Sequence, residues 1–141
     1  MTISTRKLPK TPSESLSKKK PMGQYTEIYI TAPSQVSQGE VVDIVASVRN
    51  IHTGAISVTV TGSVNGVGLY FGSEMKLILQ GDWRNWVDSF IMPGSNAELW
   101  CWSWYLGEDN LWHVDGEVSK NIQLLVVTAS FSGLMASYAK A

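Results

Sequence analysis

Apolar residues recur at every second position through most of this chain, the period of a β-strand with one buried face. The clearest run is VVDIVASV (41–48), with Val42, Ile44, Ala46 and Val48 on one face and Asp43 and Ser47 on the other. AISVTVTGSV (55–64) repeats the pattern, with Ile56, Val58 and Val60 in register and threonines opposite. YTEIYIT (25–31), VGLYF (67–71), MKLILQ (75–80), WRNWVDSFIM (83–92), AELWCWSWYL (97–106), LWHV (111–114) and EVSKNIQLLVV (117–127) read as further strands. Turns and loops separate them at SQGE (37–40), RNIHTG (49–54), Asn65-Gly66, QGD (80–82), Pro93-Gly94, GEDN (107–110) and Asp115-Gly116. Asn65-Gly66 is the strongest hairpin signal among these. About eight short strands at this spacing predict an all-β fold, a single sandwich of two antiparallel sheets with seven or eight strands. An open barrel is the second solution.

The alternation divides the chain into three parts. Residues 1–23 are rich in Ser, Thr, Lys and Pro and lack apolar periodicity, so they read as an arm. Residues 24–127 are the sandwich. Residues 128–141 form an apolar extension in which Phe131, Leu134, Met135 and Tyr138 have helical spacing, as for a docking helix. Ile122 to Tyr138 is uncharged but diluted by Gln, Ser, Thr and Gly, so no transmembrane span is expected.

Charge sharpens the arm. Residues 1–20 carry Arg6, Lys7, Lys10, Lys18, Lys19 and Lys20 against Glu14, a net charge of +5. Residues 21–141 carry five basic and eleven acidic side chains, a net charge of −6. A basic arm on an acidic body suits docking onto a neighbouring subunit, or non-specific contact with nucleic acid or an anionic surface. The arm has no aromatic residue for base stacking. It also has no apolar h-region, so no classical signal peptide is expected.

The order APSQVSQGEVVDIVASVRNIHTGAISVTVTGSVNG, followed by SFIMPGSNAELWCWSWYLGEDNLWHVDGEVSKNIQL, resembles an immunoglobulin-like domain related to the CARDB (cell-adhesion-related) group. The shared features are a Pro and a GE turn before an alternating strand, an apolar strand ending in MP, an aromatic-rich strand and a closing KNIQL strand. They cover roughly residues 25–126. The resemblance implies a sandwich in which Cys101 takes the place of the F-strand cysteine, pointing inward. Its usual partner in strand B is replaced by Ala46 or Val48, and the tryptophan of strand C is missing, so an antibody-type domain is excluded. Domains of this kind are mostly adhesive, structural or spacer modules on cell surfaces and in virions.

ELWCWSWYL (98–106) raises a conflict. Its spacing puts Trp100, Trp102 and Trp104 on one face and Leu99, Cys101, Ser103 and Tyr105 on the other. Hydrophobicity alone points the tryptophans into the core. The resemblance points Cys101 there instead, and three indoles would crowd an inter-sheet gap of ~10 Å. Outward tryptophans would make an apolar patch that needs covering by the chain's own tail, another subunit or a ligand. With Trp112 they form a candidate interaction face.

Motifs for catalysis are lacking: no HExxH, GxSxG, P-loop or CxxC occurs. A lone cysteine excludes an intrachain disulfide. His52 and His113 read as surface or packing residues, and Glu108, Asp109, Asp115 and Glu117 as turn charges without calcium-loop spacing. No catalytic residue, metal or cofactor is expected. The leading expectation is a non-enzymatic structural subunit of a virion or a surface filament. It would self-associate through its arms and its tryptophan face. The alternative is a carbohydrate- or ligand-binding sandwich using the tryptophans as a platform.

Overall fold

The computed structural model describes residues 8–12 and 20–126. The arm residues Arg6, Lys7, Lys18 and Lys19, and the C-terminal Phe131, Leu134, Met135 and Tyr138, lie outside this range. In chain order the strands are β1 (Thr26–Thr31), β2 (Gln35–Ser37), β3 (Val41–Asn50), β4 (Ile56–Val64) and β5 (Val67–Leu69). They continue with β6 (Lys76–Ile78), β7 (Trp83–Ile91), β8 (Ala97–Leu106) and β9 (Trp112–Leu125). One sheet has the order β1-β3-β7. The other has the order β2-β9-β8-β4-β5, and β6 also pairs with β4. All pairings are antiparallel except β2 with β9. This is a single all-β, immunoglobulin-like sandwich.

The inward positions are those the alternation selects. Val42, Ile44, Ala46 and Val48 of β3 face Val58 and Val60 of β4 and Leu99 and Cys101 of β8 across one core, all at most 1% exposed. Burying each Val or Leu side chain contributes about 1.5–3 kcal/mol. The largest core side chain is Trp86 on β7, which lies opposite Ala46 in the register. A methyl on one strand thus makes room for an indole on the next. The Trp86 N–H donates to the Glu74 carbonyl at 2.9 Å, so its polar end is not left bare. The core tryptophan absent from β4 is therefore supplied from the opposite sheet.

Four features differ from the strand pattern expected above. β2 is a three-residue edge strand, too short to register as a period, and it takes Ser37 from the expected SQGE turn. β3 runs on to Asn50, because the Asn50 side-chain amide donates to the carbonyls of Gly54 and Ile78 and holds the strand end inside the fold. β5 stops at Leu69, and Phe71–Ser73 turns as a short 3-10 segment. Phe71 has a φ of 50° and is 2% exposed, so the left-handed backbone turns its ring into the core.

The fourth difference bears on the candidate site. Asp115-Gly116, expected as a turn, lies within the continuous strand β9. Trp102 pairs with Glu117 and Trp104 with Val114, so Ser103 alone faces both Asp115 and Gly116. This is a β-bulge. The Gly116 N–H donates to Ser103 Oγ at 2.9 Å, and a Cβ on Gly116 would come within 2.9 Å of both Ser103 Oγ and the Pro21 carbonyl.

Candidate functional site

The fold presents three places with functional character: the outer face of the large sheet, one loop end, and the outer face of the small sheet.

On β8 the conflict resolves with Leu99, Cys101 and Ser103 inward. Trp100, Trp102 and Trp104 therefore stand on the outer face. They are nevertheless not open to water: Trp102 is 5% and Trp104 9% exposed, while Trp100 is half-buried. The neighbouring strand β4 places Ser63, Thr61 and Thr59 beside Trp100, Trp102 and Trp104 in turn, and all three hydroxyl residues are buried. The Trp104 N–H donates to Thr61 Oγ1 at 2.8 Å. Trp100 and Trp102 stack with centroids 6.2 Å apart and ring planes 10° from parallel. Thr11 and Pro12 of the N-terminal segment line a cleft with Trp100, Trp102, Ser63, Gly66 and Glu98, and both are partly buried. Trp112 is half-buried at the start of β9, opposite Leu106. The indole N–H groups of Trp102 and Trp112 are buried without a hydrogen-bond partner among the described residues.

Of the arm's basic residues, Lys10 and Lys20 are described and both are exposed. The Lys20 carbonyl accepts from the Glu117 N–H at 2.8 Å, and the Pro21 carbonyl from the Ile28 N–H at 3.0 Å. Residues 20–23 are thus hydrogen-bonded into the sandwich. The chain then enters β1 over the Asp115 carboxylate. That carboxylate accepts from the backbone N–H groups of Gln24, Tyr25 and Thr26 and from Thr26 Oγ1.

Asp115 thereby places Tyr25 at the end of the sandwich where the 51–55 loop meets the β8–β9 hairpin. Here a cleft of about 650 Å³ is lined by Tyr25, His52, Ile56, Tyr105, Glu108, Asp109 and His113, among others. Both histidines of the chain lie in it. Tyr25 meets His52 and Tyr105 edge-on, with centroids at 4.6 and 4.4 Å, and Tyr105 stacks on His113 at 5.2 Å. His113 Nε2 lies 2.9 Å from Asp109 Oδ2, and the Leu111 N–H donates to Asp109 Oδ1 at 3.0 Å. The His113 contact and then the Leu111 N–H hold the Asp109 carboxyl below its ordinary range. Burial, and then the charges of Tyr25, Asp115 and Asp109, hold the Tyr105 hydroxyl above its ordinary range. Sequence periodicity does not reveal this cluster, because its members come from four segments that only the topology brings together.

The small sheet is different. Its inner face is core. Its outer face carries Tyr29, Val41, Val45, Trp83, Val87 and Ile91, with Val87 67%, Val41 60% and Ile91 60% exposed. The register sets Val41 against Ile91 and Val45 against Val87, and Tyr29 lies 5.7 Å from Trp83 ring to ring. β7 is also an edge strand, nine residues long.

For catalysis the structure offers little. Cys101 sits in the core, where burial and then the Asp88 charge push its thiol up to about 12. Among the described residues no three His, Cys, Asp or Glu side chains group so as to hold a metal ion, and no helix is long and apolar enough to cross a membrane.

A scan of protein-family models and a search of curated proteins found no match to the sequence. Solved structures do match the fold. A CARDB domain from Pyrococcus furiosus, solved in complex with di-metal ions, superposes with a TM-score of 0.56 at 10% identity, over 76% of this chain and 97% of that one. A chain of the complex between zinc 2-glycoprotein and prolactin inducible protein from human seminal plasma gives 0.54 at 9% identity, over 70% of this chain and 93% of its own. The putative ApaA protein of Bordetella pertussis gives 0.51 at 10% identity, over 76% of this chain and 100% of its own. What these share with the chain is a CARDB-like, immunoglobulin-type fold.

Proposed function

We propose that the chain is a non-enzymatic structural subunit that works by association. The settings we favour are a capsid, decoration or tail component of a virion, or a subunit of a surface filament. The observation that carries this reading is the outer face of the β1-β3-β7 sheet. Val41, Val87 and Ile91 expose most of their surface there, beside half-exposed Tyr29 and Trp83. Exposed Val41–Ile91 and Val45–Val87 pairs with two aromatic rings, set among polar pairs such as Asp43–Ser89 and Ser47–Asn85 and ending in a strand that is an edge among the described residues, suit cover by a partner's surface. The basic arm on an acidic body supports the same reading, because complementary charge steers repeated copies together.

The test is the solution mass of the full chain by light scattering across a concentration series. Growth of the mass with concentration is expected, together with its loss in the Val87→Lys, Ile91→Lys double variant. A chain that stays monomeric at millimolar concentration overturns the proposal. A carbohydrate platform built on all three tryptophans of β8 is less well served, since Trp102 and Trp104 are closed from solvent within the chain itself.

A further inference from the structure

The loop-end cleft has a composition that selects its ligand. Its lining includes two tyrosines, two histidines and two carboxylates, and among the described residues no lysine or arginine. Aromatic faces carry negative potential, and carboxylates add to it. A cation is attracted to both, and an anion is rejected by both. The volume is large enough for a side chain together with its flanking backbone.

We infer that this cleft receives a lysine or arginine side chain from the basic N-terminal arm of a second copy of the chain. The inference rests on the association reading above and names its contact. The arm carries the six basic groups at net +5, and the body carries net −6. Within one copy, residues 8–12 of the arm lie elsewhere. Thr11 and Pro12 sit beside Trp100 and Glu98, toward the opposite end of β8 from Tyr105. Five residues of strand separate Trp100 from Tyr105, roughly 17 Å. Lys10 is therefore displaced along the sheet from its own cleft. Lys20 lines an adjoining hollow with Tyr105, His113 and Asp115, with its carbonyl fixed by the Glu117 N–H. The arm thus joins the sandwich close to the cleft of its own copy, while Lys10 is carried along the sheet away from it.

His52 and His113 are the only histidines in the chain, so their ring carbon–proton NMR signals report on this cleft alone. The experiment titrates the full-length chain with a synthetic peptide of residues 1–20, and with the same peptide carrying glutamine at all six basic positions. Saturable shifts at both histidines are expected with the basic peptide. At least tenfold weaker binding is expected with the neutral peptide, and with the basic peptide on the Glu108→Gln, Asp109→Asn variant. Glu108→Gln alone, at an exposed loop position, guards against a folding artefact and should weaken binding in the same direction. Equal response to the two peptides, no response at either histidine, or shifts unaffected by the carboxylate variants overturns the inference. Light scattering on the same samples separates the two readings. Association that persists with an unresponsive cleft refutes the cleft and keeps the subunit. A strictly monomeric chain refutes the second copy as occupant, and with it the subunit reading.

Discussion

Thr26 gives Asp115 two hydrogen bonds, one from its backbone N–H at 2.8 Å and one from its hydroxyl at 2.6 Å, across 89 positions of sequence. Thr26 Oγ1 also lies 2.7 Å from Ser103 Oγ, which accepts from the Gly116 N–H. The bulge in β9, the centre of β8 and the start of β1 are thus tied at one buried carboxylate. Charge-assisted hydrogen bonds of this kind are about twice as strong as neutral ones. Replacing Asp115 by Ala strands the buried N–H and hydroxyl of Thr26 and the part-buried N–H groups of Gln24 and Tyr25. The expected cost is about 3 kcal/mol, read as a lower urea midpoint. In a labelled sample, the Tyr25 ring signals should also leave the cleft environment. An unchanged midpoint would refute the assignment.

Gly62 is required by close packing. A Cβ there would lie 2.6 Å from the Trp100 carbonyl, 3.2 Å from the Phe71 ring and 3.3 Å from Cys101 Sγ. The nearest of these is backbone in a paired strand, which has little freedom to move. Gly62→Ala is expected to destabilise by about 1–3 kcal/mol, although alanine normally suits a strand better than glycine. Thermal unfolding of the variant checks this.

Cys101 should be silent until the protein unfolds. The thiolate is the reactive form, and burial keeps the thiol protonated to about 12 against an ordinary 9.0. At pH 8 a thiol-labelling reagent is expected to modify the chain in guanidinium and to leave the native protein untouched. The raised value also fixes the sign of a pH effect. The contribution is fully present below pH 9 and is lost as pH rises from there toward about 12. Reaction of the native protein at the rate of a free thiol would contradict the core placement.

Asp109 behaves in the opposite sense. Its carboxyl is lowered from an ordinary 3.8 by His113 and by the Leu111 N–H. A depressed carboxyl stabilises the loop above its ordinary range, and that contribution is lost as pH falls through its lowered value. The side-chain carbon signal of Asp109 should titrate below that of a model aspartate, and His113→Ala should move it back up. An Asp109 that titrates at the ordinary value in the intact chain would rule out the contact.

Much of the fold was legible in the residue pattern. The alternation at 41–48 and 55–64 marks inward faces because a strand repeats every two residues whatever its neighbours are. Asn65-Gly66 turns where read, with φ of 49° and 86°, because few other pairs tolerate two left-handed residues in succession. Local chemistry decides such features. Asp115-Gly116 reads equally well as a turn, and only pairing with Ser103 makes it a bulge. Phe71 belongs to an apolar strand by composition, yet its backbone reverses and its ring fills the space that Gly62 leaves.

The tryptophan stripe marks the boundary between the two. That Trp100, Trp102 and Trp104 share a face follows from the sequence alone, because β8 is a strand. Which face they share depended on volume: the gap holds Leu99 and Cys101, while its one large indole, Trp86, arrives from the other sheet opposite Ala46. The loop-end cleft lies wholly on the tertiary side. Tyr25, His52, Tyr105 and His113 belong to no motif, and they meet because antiparallel pairing returns four separate segments to one end of the sandwich. Sequence determines what short-range periodicity and turn chemistry can encode. Contacts between residues far apart in the chain exist only once the sheets have packed.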